Sequence, residues 1–172
     1  MRRVRLWPCL LLLALGAFAC DDFPADGLVG VRTDSAGSFR IQVFLCPGDE
    51  VTSVRLVKVT GSVFGDGDDP VLWAIRSSDG SRVDEFIPGR VSPGFSEEVP
   101  LKGDIERGAE LGVLIDGPGG SPGVAFRMED LRPGFLYSKG EFLTEPEFRD
   151  RAADVCSGPG GGLFGVLVTT SN

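Results

Sequence analysis

Glycine and proline set the grain of this sequence. Twenty-five glycines and 12 prolines among 172 residues interrupt it every few positions. A helix interior loses about 1 kcal/mol at each glycine and about 3 kcal/mol at each proline relative to alanine. What lies between the interruptions is short and rich in Val, Ile, Phe and Leu. Short β-branched and aromatic runs bounded by turn formers read as strands, so the chain is expected to build sheets from hairpins.

The alternation within the runs says which side faces inward. "LVGVRTD" and "SFRIQVFLC" flank "SAG" and read as a hairpin. In the second run Phe39, Ile41, Val43 and Leu45 share one face, with Arg40 and Gln42 on the other. Cys46 ends the run on the opposite phase from the apolar set. "VTSVRLVKV" alternates through Val54 and Leu56, then slips to Val57 and Val59, a pattern that predicts a bulge or bend. "VLWAIRS" places Val71, Trp73 and Ile75 together. "VDEFIPG", "FSEEVPL", "ELGVLIDG", "GVAFRME" and "GFLYSKG" supply further strands. "GLFGVLVTTS" is apolar on both phases and reads as a central strand.

One stretch departs from this pattern. "LTEPEFRDRAADVC" lacks strong β-formers and opens with Thr144-x-x-Glu147, a capping box with Pro146 in the first turn. It predicts a helix of two to three turns ending near Cys156, with "SGPGGG" as the loop that follows. About nine short strands and one short helix give an all-β fold class, an antiparallel, immunoglobulin-like β-sandwich. A true immunoglobulin domain fits less well. Its Cys–Trp–Cys spacing is tighter than Cys46, Trp73 and Cys156, and Tyr137 lies too far before Cys156 for a tyrosine corner.

The first residues are an address. Arg2, Arg3 and Arg5 precede a short apolar run, Leu10 to Phe18. That run is well short of the ~20 residues that span a bilayer as a helix, so residues 1–19 read as a secretory signal peptide. "AFAC" at 17–20 resembles the lipobox of bacterial lipoprotein precursors, although Ala17 stands where leucine is usual and Phe18 where a small residue is. The resemblance covers residues 1–20. It implies that Cys20 receives a diacylglyceryl group and becomes the new N-terminus. The alternative is a plain secreted protein in which Cys20 merely follows the cleavage site. Two acyl chains, at about 0.8 kcal/mol per buried CH₂, would anchor the protein firmly. Lysine occurs at 58, 102 and 139 and asparagine at 172, an avoidance of A/T-rich codons that points to a high-G+C genome. The order of elements across roughly 27–78 resembles small actinobacterial secreted proteins and lipoproteins of unknown function, a resemblance that implies no activity.

Processing changes the inventory. Cys9 leaves with the signal and Cys20 carries lipid, so Cys46 and Cys156 remain in an export setting where disulfides persist, with one pairing open to them. The mature net charge is 14 − 25 = −11, because the signal removes three of the 17 basic residues and no acidic ones. Such a domain repels phosphate backbones and anionic headgroups, so nucleic acid is not an expected partner. Residues 20–26 form a lipidated tether and 27–172 the sandwich. Seven extended residues span at most about 25 Å, which keeps the domain close to its membrane and favours a membrane-proximal envelope protein as partner.

Much chemistry is excluded by composition. Gly119-Gly120-Ser121-Pro122-Gly123 is formally G-x-S-x-G, but a nucleophile elbow needs a strand before the serine and a helix after it. The chain also has no histidine, which removes Ser–His and Cys–His nucleophiles and the usual zinc hydrolases. Asp66, Asp68 and Asp69 in "GDGDDP" could offer oxygens to Ca²⁺. Pro70 and Ser77, however, occupy EF-hand ligand positions, so the stretch reads as a solvated turn, and neither metal nor cofactor is expected. Glu97-Glu98 and Glu145 with Glu147 are the carboxylate pairs that glycoside hydrolysis would require. "SGPGGG" lacks the Lys-Ser/Thr of a P-loop. The resulting expectation is a lipid-anchored, extracytoplasmic, non-catalytic binding domain at the cell membrane. The alternative is an envelope-glycan hydrolase acting through a carboxylate pair.

Overall fold

The computed structural model describes residues 27–34, 37–61, 64, 68–103, 105–106 and 108–157. Cys20, Asp66 and the strand expected in 162–171 lie outside those residues. The described residues form a β-sandwich of two antiparallel five-stranded sheets. The strands are β1 (Gly27–Thr33), β2 (Phe39–Leu45), β3 (Val51–Lys58), β4 (Val71–Ser81), β5 (Glu85–Phe86), β6 (Ser96–Val99), β7 (Glu110–Asp116), β8 (Gly123–Arg127), β9 (Leu136–Ser138) and β10 (Glu141–Leu143). Helix α1 (Glu145–Ser157) follows. One sheet runs β10-β9-β1-β2-β5 and the other β6-β4-β3-β7-β8.

The expected hairpin is β1–β2, in register from Gly27 opposite Leu45 to Thr33 opposite Phe39. Asp34 closes its turn by accepting the Ser38 N–H at 2.8 Å. Phe39, Ile41 and Val43 face the other sheet, as their phase predicts, and are buried with Val29 and Val31. Across from them lie Val54, Leu56, Trp73, Ile75, Leu111, Val113, Ile115, Val124 and Phe126. The irregularity expected in the third run appears as a β3–β4 register shift between Leu56 and Val57. The extra residue is Leu72 of β4, whereas β3 keeps its register with β7 through Val57, so Val57 faces outward by ordinary alternation after Leu56. Val71, grouped by phase with Trp73 and Ile75, is 37% exposed, because it sits past that shift at the start of its strand.

The helix begins at the expected Thr144–Glu147 cap, with the glutamate half of the capping box formed. Thr144 donates both its N–H (2.8 Å) and its Oγ1 hydroxyl (2.7 Å) to the Glu147 carboxylate. At 13 residues it runs between three and four turns, longer than expected. It lies on the outer face of the β1–β2 sheet, where Phe148 and Ala152 pack with Leu28 and Leu136 in a second apolar cluster. Gly30 makes the fit possible. A Cβ there would stand 2.9 Å from the Phe148 ring and 3.1 Å from Leu136. Cys46, on the outward phase of β2, is disulfide-bonded to Cys156 at a Cα–Cα distance of 5.3 Å. The bridge therefore pins helix to sheet. In an immunoglobulin domain the corresponding bond crosses between the two sheets.

Candidate binding groove

Where β2 ends, a groove of about 400 Å³ opens between β2, residues 82–84 and α1. Phe44, Leu45, Val83 and Phe148 give it apolar walls, and Cys46 lies in its lining. Each wall has a local cause. Phe44 shares the outward phase with Arg40 and Gln42. Phe148 is turned inward by the helix phase that also buries Ala152. Val83 arrives on the segment that leaves β4 and crosses to β5.

The backbone contributes as well. β5 is two residues long and pairs with β2 at Ile41 and Gln42. Beyond that, the Val43 N–H donates to the Asp84 carbonyl at 2.8 Å. Alternate residues of an antiparallel strand direct their N–H and C=O to the same side, so Leu45 directs its own toward the groove. The groove thus contains a stretch of sheet edge, the kind of surface that accepts an added chain.

The rim is charged and mixed: Arg82 and Arg149 stand with Asp49, Asp84 and Glu145, and Arg149 donates to Glu145 at 2.8 Å. On the same face, Glu85 accepts from Arg32 at 2.8 Å and Arg40 at 2.6 Å. Partial burial pushes the Glu85 carboxyl up, but the two guanidinium bonds outweigh it and hold the carboxyl below its ordinary value.

Position matters as much as shape. Gly27, where the described chain enters β1, is opposite Leu45. Cys46 follows Leu45, and Cys156, next to the end of α1, is bonded to it. The chain's entrance, the groove and the end of the helix therefore share one pole of the sandwich.

The residues singled out from sequence fall elsewhere. Ser121 sits on the β7–β8 hairpin loop, donates to Asp116 at 2.9 Å and is followed by a strand, as its surroundings predict. Glu98 of β6 pairs with Arg76 at 2.6 Å, whereas Glu97 is its neighbour along an exposed strand. Glu147 is the helix cap, and hydrogen bonds from the Thr144 backbone and hydroxyl hold its carboxyl below the ordinary range. Glu145 binds Arg149, with Arg32 at 3.7 Å. The acidic turn differs from expectation at Asp69. This residue is 7% exposed and accepts the Thr60 N–H at 2.8 Å and its hydroxyl at 3.2 Å, so it closes the loop from inside. Asp68 remains at the surface. Among the described residues no three His, Cys, Asp or Glu side chains cluster in a way that could hold a metal.

Sequence reasoning missed the groove. One signal was present: Phe44 is an aromatic residue on the polar phase of β2, which means that something covers that face. The fold and the Cys46–Cys156 bond define a helix-flanked, disulfide-bonded β-sandwich. The chain matches no protein-family model, no curated protein and no solved structure.

Proposed function

We propose that this protein is a lipid-anchored, extracytoplasmic binding domain that engages a membrane-proximal envelope partner through the groove between β2 and α1. The observation that carries the reading is the shared pole. If Cys20 is the lipidated N-terminus, the tether of residues 20–26 enters the fold beside the groove. The groove then lies within about 25 Å of the lipid. Apolar walls beside an open strand edge suit an extended segment with alternate apolar side chains. The acidic surface keeps the domain off anionic headgroups while the anchor holds it near.

A photoreactive residue at Arg82, on the groove rim, tests this in intact cells. The expected product is a crosslink to an integral membrane protein, from a chain whose N-terminal peptide is Cys20 carrying diacylglyceryl mass. Crosslinks to wall glycan or freely secreted proteins alone would refute the partner. An unmodified chain found wholly in the medium would refute the anchor.

A further inference from the structure

We infer that a second cavity, at the end of β3 away from the groove, binds a small amphipathic anion, a carboxylate carried on a short apolar tail. β3 begins at Val51, two residues after Asp49 of the groove rim, and ends at Lys58. At ~3.3 Å per residue its ends are about 23 Å apart, so the two sites are separate. The cavity holds about 220 Å³, and Leu72, Leu101, Ile105 and Leu111 give it apolar walls. Lys58, Lys102 and Glu106 bring charge to the same lining.

The sheet builds this space. Leu111 stands opposite Lys58 across β3 and β7 and is fully buried, so the cavity opens onto the sandwich core. Leu72 is the extra residue at the β3–β4 register shift. Such irregularities re-aim a side chain and recur beside sites. Backbone hydrogen bonds fix both lysines to this end of β4. The Lys58 N–H donates to the Pro70 carbonyl at 2.9 Å, and the Lys102 N–H to the Leu72 carbonyl at 3.4 Å.

Charge selects the sign of the ligand. Lysine occurs three times in the chain, and two of the three, Lys58 and Lys102, meet at this cavity. The Lys58 ammonium lies 2.6 Å from the Glu106 carboxylate, whose side chain is 69% exposed and so marks the mouth. Hydrogen bonding from Lys58 holds that carboxyl below its ordinary value. The mouth therefore already stabilises one carboxylate. An exposed ion pair is held weakly, so an incoming carboxylate can exchange for it. Lys102 makes no ion pair among the described residues and stands ready for the same anion. Size sets the tail: a cavity of ~150 Å³ holds benzene, so this one takes a tail of roughly six to eight carbons. Its burial supplies affinity, and the ammonium groups supply the preference for an anion over a neutral analogue.

Calorimetry and amide chemical-shift mapping on the full chain test this, with octanoate as probe and octanol as its neutral analogue of the same length. One equivalent of octanoate should bind about tenfold more tightly than octanol, with shifts centred on residues 58, 72, 101, 102 and 111. Lys102→Gln should weaken octanoate about fivefold and leave octanol unchanged. Glu106→Gln, which releases Lys58, should tighten octanoate about fivefold, a gain that damage to the fold would not produce. Equal affinities for acid and alcohol would overturn the inference, as would shifts confined to residues 42–49 and 145–149 of the groove. Binding of neither probe by the parent chain would overturn it as well.

Discussion

The two apolar clusters of this protein are held in different ways. Between the sheets, 17 of the described residues are buried together. Beneath α1 there are four, and the helix itself contributes Phe148 and Ala152. Burial alone secures the first cluster, whereas the second relies on a glycine notch, a cap and a covalent bond. The sandwich is thus a rigid frame, and the helix beside the groove is the element most open to adjustment.

The largest expected effect sits in the frame. Trp73 is fully buried, and Trp73→Ala should cost about 3–5 kcal/mol, seen as a fall in the denaturation midpoint by every probe at once. Its Nε1 has no hydrogen-bond partner among the described residues, so Trp73→Phe should cost much less. Equal losses for the two variants would show that the indole nitrogen matters after all.

Removing the bridge should separate the clusters. Cys46→Ser with Cys156→Ser, or reduction, should lower stability by about 2–5 kcal/mol. Amides of 145–157 should gain hydrogen-exchange rate well before those of β3, β4 and β7. Uniform acceleration across both regions would mean that helix and sandwich form one cooperative unit, and the comparison would fail.

The smallest effect concerns charge. Glu85 joins β5 to β1 and β2 through Arg32 and Arg40, and its carboxyl pKa is lower in the folded state than its ordinary value. The stabilisation is therefore complete above about pH 4.3, the ordinary glutamate value. It is lost as pH falls through the folded value. For a half-exposed pair the amount is about 1 kcal/mol or less. Glu85→Gln should lower stability at pH 7 and flatten the acid limb below about pH 4.3. An unchanged limb would show that these ion pairs contribute nothing measurable.

Much of the frame was legible because strand rules are local. The odd phase of β2, the irregularity at Leu56–Val57 and the Thr144–Glu147 cap each depend on neighbours within a few residues. Strand ends were harder. "VDEFIPG" yields two strand residues, Glu85 and Phe86. "GFLYSKG" is half of a hairpin whose other half, Glu141–Leu143, carries too few β-formers to stand out. Lys139 turns that hairpin at φ 46°, a backbone conformation that its side chain does not announce.

The sequence by itself determined the alternation, the cap, the cysteine arithmetic and the absence of histidine chemistry, all of which are properties of residues and their near neighbours. Tertiary structure alone decided that α1 lies on the outer face of the β1–β2 sheet, that Gly30 makes room for Phe148, and that a groove opens beside Cys46. Those features depend on elements more than 100 positions apart in the chain, Gly30 with Phe148 and Cys46 with Cys156. Side-chain volume meets side-chain volume there only after both sheets and the helix have formed, and no local pattern encodes that meeting.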